Sequence, residues 1–202
     1  MDAPLHLNVE ALPCSLVWDR PVSDDQLEAL CAANDVFQFE RTKNGEIRVN
    51  PPTELSTSDG NAEIIHQLRL WWKTHRRGKV ADSNAGFFLK DGSMLSPDAA
   101  YLSPETLADT PPAGARGLPH LCPDFVIELL SRSDSFRDTQ EKMQDWIANG
   151  AALGWLIDPY QQQVLVYHPE ADTEAGTGVA IQRSGPVEGF TLDLTEVWRC
   201  YE

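Results

Sequence analysis

In CPDFVIELLS, residues 122–131, the apolar run FVIELL has the composition of a core strand and is interrupted by a single carboxylate, Glu128. Strand alternation sends Val126, Glu128 and Leu130 to one face and Phe125, Ile127 and Leu129 to the other. Glu128 therefore points at one layer of the structure. A carboxylate there is costly unless it is paired, protonated or bound to a cation.

Outward from this strand the chain reads as strands in runs, with helices between them. Downstream, a helix is expected from Asp138 to about Asn149, ended by Gly150, and then a hairpin of GWLIDP and QVLVYHP about Asp158-Pro159-Tyr160. The tail from Glu170 is rich in glycine and acids, with a short closing strand near Gly189 to Leu194. Upstream lie two more strand-like stretches, VADSNAGFFL (80–89) and SMLSPDAAYLS (93–103). The segment ADTPPAGARGLP (108–119) follows them as an exposed loop.

A helix over residues 61–76 presents Ile64, Ile65, Leu68, Leu70, Trp71 and Trp72, entered through STSDGN as a capped loop. FQFER and EIRVN around Lys43-Asn44-Gly45 predict a hairpin, because Asn-Gly accepts the positive φ of a tight turn. A first helix starts after Ser23, and residues 1–22 form a Pro-interrupted lead. The expectation is α+β, with one central mixed sheet flanked by helices. Residues 23–202 then make a single domain, its core within about 23–165 and C-terminal strands to 202, behind an N-terminal extension of 1–22.

The 202 residues, 42% hydrophobic and 23% charged, are a globular composition. Sixteen Lys and Arg against 31 Asp and Glu leave a net charge of −15, a field that repels phosphate backbones and excludes a polybasic DNA coat. It only makes a nuclease harder, since a local basic patch and a bound divalent metal offset the field where substrate docks. Lys73, Arg76, Arg77 and Lys79 are one such cluster, read either as cations at a helix C-terminus or as a phosphate-contacting patch. No apolar run reaches the ~18 residues of a membrane span, and the opening MDAPLHLNVEALPCSLVW lacks a basic signal segment, so a cytoplasmic protein with no membrane partner is expected. Cys14, Cys31, Cys122 and Cys200 are far apart and read as reduced thiols.

Asp98 follows Pro97 in an apolar stretch, and on a neighbouring strand it can come alongside Glu128. Two strand-borne carboxylates converging in this way make a site for Mg²⁺ or Mn²⁺, completed by water and substrate phosphate. Asp124, after Pro123, competes with Asp98 but lies ~13 Å along the same strand face from Glu128, too far to share an ion. Lys142 stands at the edge of the stripe of Met143, Trp146 and Ile147, where its stem can deliver an ammonium to the carboxylates or leave it solvated. On the solvated reading, Lys142→Met hardly changes stability.

Pro97-Asp98, Glu128 in a strand ending in Leu-Ser, Arg137-Asp138 and Lys142 on a helix, Gly150, and Trp155 to Asp158-Pro159 together resemble the Uma-type endonucleases of the restriction-endonuclease-like PD-(D/E)XK superfamily. Phe39-Glu40, Gly45-Glu46 and Pro51-Pro52 match the opening of that family, and the resemblance covers about residues 23–165. It implies a restriction-endonuclease-like fold and metal-dependent hydrolysis of DNA phosphodiesters. Asp98 and Glu128 would hold Mg²⁺ or Mn²⁺, Lys142 would orient water or stabilise phosphate charge, and Glu40 would complete the acidic cluster. The superfamily's usual lysine position, two residues after the glutamate, is Leu130 here, and the Uma-type pattern supplies the lysine from the following helix. Family habit implies a homodimer. Arg132 stands where proline is frequent, Trp146 where tyrosine is common, and Gly154 replaces a larger residue. A catalytically silent binding module and a hydrolase of smaller phosphate esters are the alternative functions.

Overall fold

The computed structural model describes residues 13–108, 117–169 and 172–202, so most of the expected lead, residues 109–116 of the Pro/Gly-rich loop and residues 170–171 lie outside the described residues. The chain divides into two units, the larger built from residues 53–83, 97–110 and 122–202 and the smaller from 1–52, 84–96 and 111–121.

The sheet of the larger unit runs β11 (Glu174–Thr177), β10 (Gln163–Tyr167), β9 (Leu153–Asp158), β8 (Phe125–Leu129), β7 (Ala99–Leu102), β4 (Lys79–Asp82). Only β8 and β9 pair in parallel, and the helix α4 (Phe136–Asn149) makes the crossover such a pair needs. Every residue of β8 is buried, as its composition demanded. Phe125 stands edge-on to Trp155 at 4.8 Å between ring centroids, and Trp155 stacks on Phe190 at 5.8 Å. The helix α4 starts two residues before the expected Asp138, because the Ser135 side chain caps it by accepting from the Asp138 N–H. It ends at Gly150, whose φ of 125° is open to glycine and strained for other residues.

The helix α2 (Leu55–His75) begins six residues before the expected start, and STSDGN is helical rather than loop. Tertiary packing overrides the weak propensities of Ser, Asp, Gly and Asn. Thr57, Gly60, Ile64 and Leu68 are the buried stripe, and a β-carbon on Gly60 would stand 2.9 Å from Leu129 Cδ2. The short helix α3 (Pro104–Ala108) was not anticipated. In the tail, β12 (Ala180–Gln182) pairs with β13 (Thr191–Asp193), and the expected closing strand stops at Asp193, whose side chain caps the helix α5 (Leu194–Arg199).

The smaller unit carries an antiparallel sheet in the order β1 (Cys14–Leu16), β3 (Ile47–Asn50), β2 (Gln38–Arg41), β6 (Met94–Leu95), β5 (Phe87–Phe88). The expected hairpin is β2–β3, with Gly45 at φ 83°. The helix α1 (Asp24–Ala33) opens with a reciprocal Ser23–Gln26 capping box. Arg41 is buried, with its guanidinium on Asp24 at 2.6 Å and on the carbonyls of Val22 and Gly92.

The fold is α+β, a mixed sheet flanked by helices, but the strands are divided among three sheets instead of one. The stretches 80–89 and 93–103 each split in two, their halves pairing in different sheets. In the second the break falls at Pro97, which has no N–H for a ladder.

Gly154 takes its meaning from α4. A β-carbon there would run into Met143 Cε, so the methionine fills the space a larger strand residue would occupy. Gly154→Ala should cost about 1 kcal/mol, the low end of overpacking, because the obstructing atom is the far end of the flexible Met143 side chain. In urea unfolding the cost should shrink in a Met143→Val background, with a coupling of at least about 0.5 kcal/mol.

Candidate active site

Glu128 lies in the middle of the buried strand β8 with 4% of its surface exposed. Two side chains one turn apart on α4 reach it. Lys142 Nζ lies 2.9 Å from Oε1 and 3.0 Å from Oε2, and Trp146 donates its indole N–H to Oε1 at 2.9 Å. The solvated reading of Lys142 is therefore corrected, since its side chain is only 13% exposed. The apolar stripe that buries Met143 and Trp146 also carries the lysine stem inward, and the carboxylate holds the ammonium there. The expected stability effect changes with it. Lys142→Met leaves a buried carboxylate without its ammonium, and thermal or urea unfolding should show a loss of about 3–5 kcal/mol, much of it regained in Lys142→Met with Glu128→Gln.

Asp98 enters through the sheet register. Ala99 of β7 faces Ile127 of β8, so one further step of this antiparallel ladder sets Asp98 level with Glu128. Its Oδ2 accepts the Leu129 N–H at 2.7 Å, and its Oδ1 accepts Asn61 Nδ2 at 2.9 Å. Burial pushes the Asp98 carboxyl above the usual carboxylate range. The Leu129 N–H, the Lys142 ammonium and the Asn61 amide pull it back, and Asp134 adds to the rise. The structure thus brings Asp98, Glu128 and Lys142 together.

Sequence reasoning missed Asn61 because it stands at the junction of the expected loop and the expected helix over 61–76, where no inward face is defined. The available signal was its place four residues after Thr57 and seven before Leu68, on the inward stripe of one helix. Its Oδ1 is buried and accepts no hydrogen bond among the described residues, a deficit of about 1–3 kcal/mol if nothing else fills it.

Asp124 accepts from the Ser103 N–H and the Thr106 hydroxyl at the start of α3. Glu40 belongs to the smaller unit, on β2, where it is 4% exposed and its Oε1 accepts the Ser96 N–H at 2.9 Å. Arg76 takes the left-handed cap of α2, with its Nε on the Lys73 carbonyl and its guanidinium 5.6 Å from the Trp72 ring centre. Arg69 lies over the same ring at 4.2 Å. Arg77 stands 3.6 Å from Glu105 in an exposed pair, and Lys73 and Lys79 are exposed.

Among the described residues no three His, Cys, Asp or Glu side chains converge as a metal cluster. The hard oxygen donors here are the two carboxylates, Asp98 and Glu128, with the buried Asn61 oxygen beside them. This set fits Mg²⁺ or Mn²⁺, which are held by one or two carboxylates with water and phosphate filling the remaining positions.

The family model of Uma2, described as "Putative restriction endonuclease", matches residues 24–195. The chain belongs to the Uma2 family. Among solved structures it is similar to one titled as a putative nuclease belonging to DUF820 from Anabaena variabilis, at TM-score 0.69 and 20% identity, over 81% of this chain and 91% of that one. That likeness is one of fold. No curated protein matches the chain. The Uma2 match spans both units, taking in β2, β3, β5 and β6 of the smaller unit as well as Asp98, Glu128 and Lys142. No helix among the described residues is long and apolar enough to cross a membrane.

Proposed function

We propose that the protein is a nuclease that uses a divalent cation to hydrolyse DNA phosphodiester bonds at Asp98, Glu128 and Lys142. The observation that carries this reading is the meeting of two carboxylates, one on β8 and one at the entry to β7, with an ammonium from α4 that touches both oxygens of Glu128. Asp98 and Glu128 would hold Mg²⁺ or Mn²⁺, which supplies Lewis acidity toward a phosphoryl oxygen and eases deprotonation of water.

The rest of the chemistry falls to the chain. The Leu129 N–H fixes one Asp98 oxygen and favours its ionised form against the burial that opposes it. Trp146 orients Glu128 from a fully buried position. Lys142 supplies a compact positive charge in a low-dielectric setting, where it is worth most against negative charge gathering on a phosphate.

The test is single-turnover cleavage of plasmid and oligonucleotide DNA in Mg²⁺ and in Mn²⁺. Wild type should cleave. Asp98→Asn should lose Mn²⁺ binding by calorimetry and lose cleavage by on the order of 100-fold or more, while remaining folded. Unchanged Mn²⁺ affinity in that variant would remove Asp98 from the site. A wild type that binds DNA without cutting it would favour the catalytically silent reading, which the net charge of −15 supports.

The exposed Lys73 and Lys79, with Arg76 and Arg77 beside them, are proposed as the phosphate-docking surface. Reversing Lys73 and Lys79 to Glu should weaken duplex binding and flatten its log–log salt dependence by about 2. A slope equal to that of wild type would leave the four residues as cations of a helix end.

A further inference from the structure

Asn61 is a polar side chain on a helix face otherwise given to packing, with Thr57, Gly60, Ile64 and Leu68 as the buried residues of that stripe. An amide that merely packed there would satisfy both ends or turn to solvent. Instead Nδ2 donates to Asp98 Oδ1 at 2.9 Å, while Oδ1 is buried without a donor among the described residues. The polarity is fixed by the carboxylate: with the amide turned over, its oxygen would face the Asp98 oxygen. The unpaired end is thus an acceptor held close to the carboxylate, and an acceptor so placed is complementary to a species carrying positive charge or polarised hydrogens.

Gly60 makes this approach possible. A β-carbon one residue earlier would meet Leu129 Cδ2 and the Tyr201 ring, so the glycine lets α2 come down on the end of β8, where the Leu129 N–H holds the other Asp98 oxygen. Asp98 is then gripped from two elements, the β8 backbone and the α2 amide. A carboxylate gripped in this way keeps its orientation when a cation arrives, which is the work of an outer ligand shell.

We propose that Asn61 is a positioning residue of the cation site, holding Asp98 through Nδ2 and offering Oδ1 to the hydration shell of a divalent cation. The assignment rests on the proposed role of Asp98 and Glu128 as cation holders. Mg²⁺ and Mn²⁺ sites on few carboxylates retain bound water, so an outer acceptor has hydrogens to receive. Outer-shell partners of this kind set metal affinity by about 10–100-fold.

The experiment compares full-length wild type, Asn61→Leu and Asn61→Ala. Mn²⁺ binding is followed by calorimetry and by Mn²⁺ electron paramagnetic resonance, and unfolding is followed in chelator. Leucine keeps the branched outline of asparagine with bulkier ends, alanine adds no bulk, and both remove the two polar ends. Both variants should bind Mn²⁺ about 10–100-fold more weakly while unfolding in chelator within a few degrees of wild type. If Asn61→Leu does not fold, Asn61→Ala carries the test. A purely structural role would lower the unfolding temperature and leave Mn²⁺ affinity alone. Mn²⁺ affinity in Asn61→Ala equal to that of wild type would overturn the assignment while the Asp98 and Glu128 reading stands. Absence of Mn²⁺ binding by wild type would overturn both.

Discussion

A carboxylate in the middle of a fully buried strand has to be compensated, and in this protein Lys142 and Trp146 supply the compensation from one face of α4. Much of the larger unit follows from meeting that condition. The α4 crossover joins the parallel pair β8–β9, so the helix that covers the strand also delivers the ammonium and the indole. Ser135 and Gly150 fix where the helix begins and ends, and with them which residues face β8. Trp146 presents its indole hydrogen to Glu128 from the same face.

Asp98 shares the place without sharing the solution. Its charge is opposed by burial and sustained chiefly by one backbone N–H, with Lys142 and Asn61 behind it. One ammonium thus supports two carboxylates, directly on Glu128 and through space on Asp98. Such an arrangement is poor economy for a purely structural core, because a well-packed apolar substitute is often as stable as a buried ion pair. Retaining it makes sense where converging charges have work to do, as the proposed cation site would give them.

The sequence made some of this legible and hid the rest for identifiable reasons. The strand over 125–129, the α4 helix, the Asn-Gly hairpin and the pairing of GWLIDP with QVLVYHP follow from local pattern, because periodicity and turn chemistry act over a few residues. The start of α2 did not, since residues of weak helix propensity are held helical by Gly60 against Leu129 and Tyr201. Nor could the division of 80–89 and 93–103 between sheets be read, because alternation states that a strand forms and leaves its partner open. At the site, Asp98, Glu128 and Lys142 were visible as charges in apolar settings. Asn61 stayed hidden, since its spacing to Thr57 and Leu68 takes on meaning only once α2 starts at Leu55, a start that tertiary packing sets.

The acidity of the chain gives this local arrangement a wider consequence. With a net charge of −15, long-range attraction cannot be what brings a polyanion to the site, so approach depends on short-range features. Charges farther apart than a Debye length, about 8 Å at physiological ionic strength, contribute little in either direction. The diffuse acidic field is therefore much weaker near a bound phosphate than the formal count suggests, while Lys142 acts from within a barely hydrated pair. Under the proposed nuclease reading, selectivity of the buried charges for a phosphoryl group would then come from contact geometry, with salt dependence confined to the exposed basic side chains around the end of α2.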